Sequence, residues 1–182
     1  RGIVFCCFNQ AEKLTPEVFA VWMRLLKNVP DSVLWLLAFN SYTEKSLRAR
    51  ASSYGVDHGR LIFAPKIPYR KHLARYKHAD LFLDTFPCNA HTTASDALWG
   101  GCPVLTCAGR TFASRVAGSL LTALKMEELI CETLEAYEAV ALNLAQNPMK
   151  LKNYQQQLIL NRASATLFDG LVFTRNLERA YE

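Results

Sequence analysis

The sequence lacks the marks of several protein classes. No apolar run is long enough to cross a bilayer: SVLWLLAF (32–39) falls far short of the roughly 20 residues a spanning helix needs. No charged start leads into an apolar segment with a small-residue cleavage site, so no secretory leader and no membrane partner are expected. The six cysteines, at 6, 7, 88, 102, 107 and 131, form no CxxC pair. All but Cys88 lie in or beside apolar runs, where a thiol packs as a small hydrophobe, so the expectation is reduced thiols in a cytoplasmic protein. His58, His72, His78 and His91 show no ligand-type spacing, and no metal site is expected. No GxGxxG follows the first strand-like run, which disfavours a dinucleotide held in the usual way. Ser114 and Ser119 have no nucleophile-elbow context, so a serine hydrolase has no support. There is no internal repeat and no low-complexity tract.

Charge is also modest. The net +5 over 182 residues gathers partly in KIPYRKHLARYKH (66–78). Nucleic-acid binding would need a larger basic stripe with aromatics placed for stacking. A solvated helix face or an anionic small molecule suits this excess as well.

What is present is a strict alternation. Strand-like apolar runs occur at 3–9, 32–39, 60–65, 80–85 and 102–107, and ELIC (128–131) fits a short sixth strand. Helical periods fall between them, at 15–29, 44–55, 68–79, 92–101 and 110–124, and three further helices follow at 133–146, 148–162 and 171–181. Unbroken apolar strands are buried on both faces, which requires a parallel sheet covered by helices. Right-handed crossovers then give a doubly wound Rossmann-like α/β fold, strand order 3-2-1-4-5, with room for a sixth strand and a helical extension over 132–182. The chain reads as one domain, 1–182. Its start, at Arg1 with a strand following at once, reads as a cut from a longer protein.

This topology predicts a site. Ligands of such sheets sit beyond the carboxyl ends of the strands, where the winding reverses. That point lies between strands 1 and 4, so FNQAEKLTP (8–16) and TFPCNAHTT (85–93) face each other. Thr93 and Asp96 make the T-x-x-D pattern of a capping box. The other reading leaves this helix start open to a diphosphate, with Asp96 turned to a sugar hydroxyl. Lys13 would then reach across to the phosphate. Tyr69, His72 and Arg75, spaced i, i+3 and i+6, share one helix face and offer either a basic surface or a wall for a planar base.

The segments FNQAEK (8–13), VPDSVLWLL (29–37), RLIFAP (60–65), LDTFPCNAHTTASDALWGGCPVLT (83–106) and RTFASRVAGSLL (110–121) resemble the O-linked N-acetylglucosamine transferases and the related SPINDLY proteins. The resemblance implies one half, the C-terminal one, of a GT-B glycosyltransferase. The whole protein would be an inverting, metal-independent enzyme, with no cofactor and a nucleotide sugar as donor, glycosylating Ser or Thr of proteins. An N-terminal catalytic half and tetratricopeptide helices would lie upstream and meet the protein acceptor. By the same resemblance, Gln10 and Lys13 contact the diphosphate, and Lys13 is the cation that replaces a metal. His91, Thr92 and Thr93 hold phosphates, and Asp96 binds ribose. His72 and Arg75 lie beside the base, whose edge meets the backbone near Ile67. Cys88 lines the space for the sugar's acyl group.

Two positions depart from the animal members. Tyr69 stands where they carry Lys near the base, and Ala90 replaces a Gly, which would narrow the sugar pocket. The donor expected is UDP-N-acetylglucosamine, with GDP-fucose as the SPINDLY-type alternative. A catalytically silent binding module is the competing class, and the intact set Lys13, His91, Thr92, Thr93 and Asp96 argues against it.

Overall fold

A computed structural model describes residues 2–182; Arg1 lies outside the described residues. Six strands form one sheet: β1 (Val4–Cys7), β2 (Val33–Leu37), β3 (Leu61–Ala64), β4 (Leu81–Leu83), β5 (Val104–Cys107) and β6 (Ile130–Cys131). Their order is 3-2-1-4-5-6, as the alternation predicts, and every pairing is parallel. Phe5 lies opposite Leu34 of β2 and Leu81 of β4. Leu34, Leu61, Leu81, Phe82, Val104 and Leu105 are wholly buried, the two-sided cover that a parallel sheet requires.

The helices are α1 (Pro16–Asn28), α2 (Ser41–Ser53), α3 (Tyr69–Arg75), α4 (Thr92–Trp99), α5 (Val116–Ala123), α6 (Leu134–Gln146), α7 (Pro148–Ser164) and α8 (Gly170–Tyr181). At α1, the Thr15 hydroxyl accepts from Val18 N–H and Pro16 takes the first position, as its sequence predicts. Boundaries moved where local capping differs from periodicity. Asn40 accepts from Thr43 N–H at 2.8 Å and starts α2 three residues before the predicted 44. Thr111 and Ser114 lock a tight turn over 112–114, so α5 begins at 116 rather than 110. The helix expected over 68–79 is α-helical only to Arg75 and tightens over 76–78.

Part of the C-terminal region shares the core of the sheet. Tyr137, Leu144, Leu151 and Leu158 join the same buried cluster as the strands. Tyr137 is the deepest link: it accepts from the Trp22 indole N–H at 3.2 Å and donates to the Asp84 carbonyl at 3.1 Å. It thereby ties α6 to α1 and to the carboxyl end of β4. By contrast, no residue of α8 is buried. No helix among the described residues is long and apolar enough to cross a membrane.

Candidate functional site at the sheet switch point

Because β1 and β4 are neighbours, the loops that leave their carboxyl ends meet. Lys13, half-buried on the first loop, donates from Nζ to the Asn89 carbonyl on the second at 2.7 Å. Asn9 makes a second bridge. Its Nδ2 donates to Thr85 Oγ1 at 2.8 Å and to Asp84 Oδ1 at 3.3 Å, and its Oδ1 accepts from Thr93 Oγ1.

These contacts correct the capping-box expectation. Thr93 gives its hydroxyl to Asn9, and Asp96 accepts from Tyr69 Oη at 2.7 Å. Neither caps α4. The cap position falls on His91, which offers no side-chain acceptor to the helix. The first N–H groups of α4 therefore keep their hydrogen-bonding capacity and the positive end of the helix field. Lys13 is bonded to the loop that leads into them, at the Asn89 carbonyl. The arrangement suits a phosphate or diphosphate.

Beneath it lies Asp84, 1% exposed. Its Oδ1 accepts from Thr85 N–H at 2.8 Å, Ala90 N–H at 2.7 Å and Asn9, and its Oδ2 from Thr106 Oγ1 at 2.7 Å. Burial outweighs these bonds and pushes the carboxyl up to about 7. Ala90 is wholly buried and its N–H is held by Asp84, so its methyl group faces the core. The expectation that Ala90 narrows an open pocket is corrected accordingly.

A second cluster flanks the first. The Arg75 guanidinium lies over the rings of Phe8 (5.3 Å) and Trp35 (5.9 Å), and its Nη2 donates to the Pro65 carbonyl at 3.0 Å. Arg75 is only 7% exposed, and its Nη1 is buried without a hydrogen-bond partner. This is no solvated basic face. His72 sits edge-on to Phe8 and Tyr76. Burial first, then the Arg75 charge, hold its pKa below the usual histidine value, which favours neutral imidazole at neutral pH.

Gln10, Ile67, Tyr69 and Thr92 are exposed around these clusters, and Cys88 is partly exposed. The His91 ring packs edge-on to Phe112, and its Nε2 is buried without a partner. Three residues escaped the sequence reading: Asn9, Asp84 and Asn89. A signal was available. Asn9 and Asp84 are polar residues at or just past the end of an apolar strand run, facing the switch point, and Asn89 lies further along the loop that leaves β4.

The family model for glycosyl transferase family 41 matches residues 1–177. The chain belongs to glycosyl transferase family 41. Among family relatives, it is 41% identical over 179 residues to the probable UDP-N-acetylglucosamine–peptide N-acetylglucosaminyltransferase SEC of Arabidopsis thaliana, covering 98% of this chain and 18% of that protein. It is 39% identical over 177 residues to the UDP-N-acetylglucosamine–peptide N-acetylglucosaminyltransferase of Caenorhabditis elegans, covering 97% of this chain and 15% of that one. Against the probable enzyme SPINDLY of Hordeum vulgare the identity is 34%, over 98% of this chain and 19% of the relative. The chain thus spans about a fifth or less of these relatives.

A solved Lys-to-Met mutant of the Thermobaculum terrenum O-GlcNAc transferase superposes with a TM-score of 0.93 at 34% identity, over 99% of this chain and 35% of that one. A sucrose-phosphate synthase from Thermosynechococcus elongatus shares the fold, TM-score 0.70, at 12% identity, over 99% of this chain and 45% of that one. The doubly wound sheet of this family 41 chain is that of one half of a GT-B glycosyltransferase.

Proposed function

We propose that this chain is the donor-binding half of a protein glycosyltransferase that passes N-acetylglucosamine from UDP-N-acetylglucosamine to Ser or Thr hydroxyls. One observation carries the reading: Lys13 stands across the switch point against the loop that leads into the uncapped start of α4. Transfer from a nucleotide sugar forms a bond between the acceptor oxygen and the anomeric carbon as the bond from that carbon to the β-phosphate oxygen breaks. Approach from the opposite face inverts the centre. Negative charge develops on the departing diphosphate, and preorganised N–H groups and a cation stabilise it there. In this reading Lys13 supplies the cation without a metal, Gln10 assists it, and His91, Thr92 and Thr93 hold the phosphates.

Asp96 takes ribose hydroxyls in place of Tyr69. The base lies along Tyr69, His72 and Arg75, with its edge at the Ile67 backbone, and Cys88 borders the acyl group of the sugar. The acceptor proton leaves to a base outside this half. The acceptor protein and tetratricopeptide helices belong to upstream sequence, and the free thiols suit a cytoplasmic setting.

Calorimetric titration of the full-length protein with UDP and GDP tests the reading. UDP should bind at least tenfold tighter than GDP, and Lys13→Ala should weaken UDP by about tenfold or more, the loss of a charge-assisted contact. Tighter GDP binding would move the donor to GDP-fucose. Binding of neither at millimolar levels would end the nucleotide assignment, and donor hydrolysis unchanged in Lys13→Ala would leave a silent module.

A further inference from the structure

The geometry points to Asp84 as the positioning residue of the anion site, acting at the far end of two polarised amide relays that terminate on Lys13 and on Thr93. The first relay is a single peptide group. The Asn89 carbonyl accepts from Lys13 Nζ at 2.7 Å, and the N–H of the same peptide unit, that of Ala90, donates to Asp84 Oδ1 at 2.7 Å. The second relay is the Asn9 side chain. Nδ2 donates to Asp84 Oδ1, and Oδ1 accepts from Thr93 Oγ1. Above about pH 7 Asp84 is a carboxylate that only accepts, and Thr85 Oγ1, whose own proton goes to the Cys88 carbonyl, also accepts from Asn9 Nδ2; together they fix which way the Asn9 amide points, and the amide in turn fixes the Thr93 hydroxyl as a donor. Each relay aligns its dipoles from the carboxylate outward, and such chains strengthen one another in a low-dielectric interior.

This placement has two consequences for a bound diphosphate. One Lys13 proton is committed to Asn89, which leaves two for a phosphate. The Thr93 hydroxyl proton is committed to Asn9, so Thr93 meets a phosphate through its backbone N–H. Asp84 also clamps both ends of the loop that leads into α4, because Oδ1 receives the N–H of Thr85 and of Ala90. Asn89 secures the middle, donating from Nδ2 to the Thr85 and Cys107 carbonyls. Asp84 touches neither donor nor acceptor in this scheme. An aliphatic core residue could fill its volume but could not set the direction of either amide.

The inference rests on the diphosphate reading above, and its test separates the two. The experiment measures binding of UDP and of uridine to the full-length protein in wild type, Asp84→Asn and Asn9→Ala, at a pH about 1.5 above 7 so that Asp84 is ionised. Asp84→Asn keeps an acceptor oxygen for the loop but removes the charge that drives both relays. Asn9→Ala cuts one relay outside the strand and serves if the first variant folds poorly. UDP affinity should fall by about three- to tenfold in each, in the range of one weakened charge-assisted contact, while uridine affinity stays within about twofold. Equal changes for UDP and uridine, including no change in either, would overturn the assignment and leave Asp84 a structural residue. Wild-type protein that binds uridine but gains nothing from the diphosphate would instead overturn the phosphate site itself.

Discussion

Tyr69→Phe removes one hydroxyl and releases the Asp96 carboxylate. In the folded chain Tyr69 Oη donates to Asp96 Oδ1 at 2.7 Å, and that bond raises the phenol's own pKa. The partners differ in setting: Asp96 is 8% exposed and Tyr69 is 61% exposed. A charge-assisted bond with one partner in solvent is worth about 1 kcal/mol. If Asp96 holds ribose hydroxyls, Tyr69 competes for the same oxygen until the nucleotide arrives. Losing that competitor should tighten UDP binding by about fivefold, the equivalent of 1 kcal/mol. Titration of the full-length variant reads this directly. Asp96→Asn supplies the control: it should weaken UDP, and adding Tyr69→Phe to it should gain nothing. Weaker UDP binding in Tyr69→Phe alone would refute the reasoning, because the hydroxyl would then be a direct contact to the nucleotide.

Further predictions concern the scaffold. Tyr137→Phe strands the Trp22 indole N–H and the Asp84 carbonyl, and urea midpoints should report a loss of about 1–3 kcal/mol; an unchanged midpoint would remove Tyr137 from its linking role. The raised Asp84 carboxyl, at about 7, makes stability fall with rising pH. The folded chain keeps a proton that the unfolded chain releases near pH 3.9, so this contribution is full below about pH 4 and is lost as pH rises through about 7. Relative to Asp84→Asn, wild type should therefore gain about 2 kcal/mol between pH 7.5 and pH 5.5, and a flat difference in denaturation free energy would contradict the raised value. Gly100→Ala would place a Cβ 2.7 Å from Tyr76 Cβ and 3.1 Å from the Asp96 carbonyl oxygen. The end of α4 must then lift from Tyr76, at a cost of about 1–3 kcal/mol; a melting temperature equal to wild type would show that this approach is looser than described.

The sheet was legible because its strands are unbroken apolar runs, a pattern that fixes two-sided burial and hence parallel order. Lys13 was legible for a topological reason: the loop after the first strand must face the loop after the fourth. The capping box stayed one of two readings because T-x-x-D is the same four residues whether the side chains fold back on their own helix or leave it. What decides is a competitor elsewhere, Tyr69 for Asp96 and Asn9 for Thr93, separated by 27 and 84 residues. Asp84 and Asn9 each end an apolar run, but they are 75 residues apart and their pairing follows only from the sheet order. From its spacing alone Arg75 fits either a basic helix surface or a wall for a planar base. Its burial follows from Phe8 and Trp35, aromatic residues on other strand segments that offer its guanidinium a face.

Lys13 is held by the fold itself, through its bond to the Asn89 carbonyl. Freezing a lysine side chain costs up to about 2 kcal/mol of rotamer entropy, and here that ordering belongs to folding rather than to ligand capture. An anion arriving at the switch point would meet a charge whose position is set, so little of its binding energy would be consumed in arresting a mobile arm. The same tether limits the lysine. In the proposed site it would act as a fixed post rather than a sweeping finger.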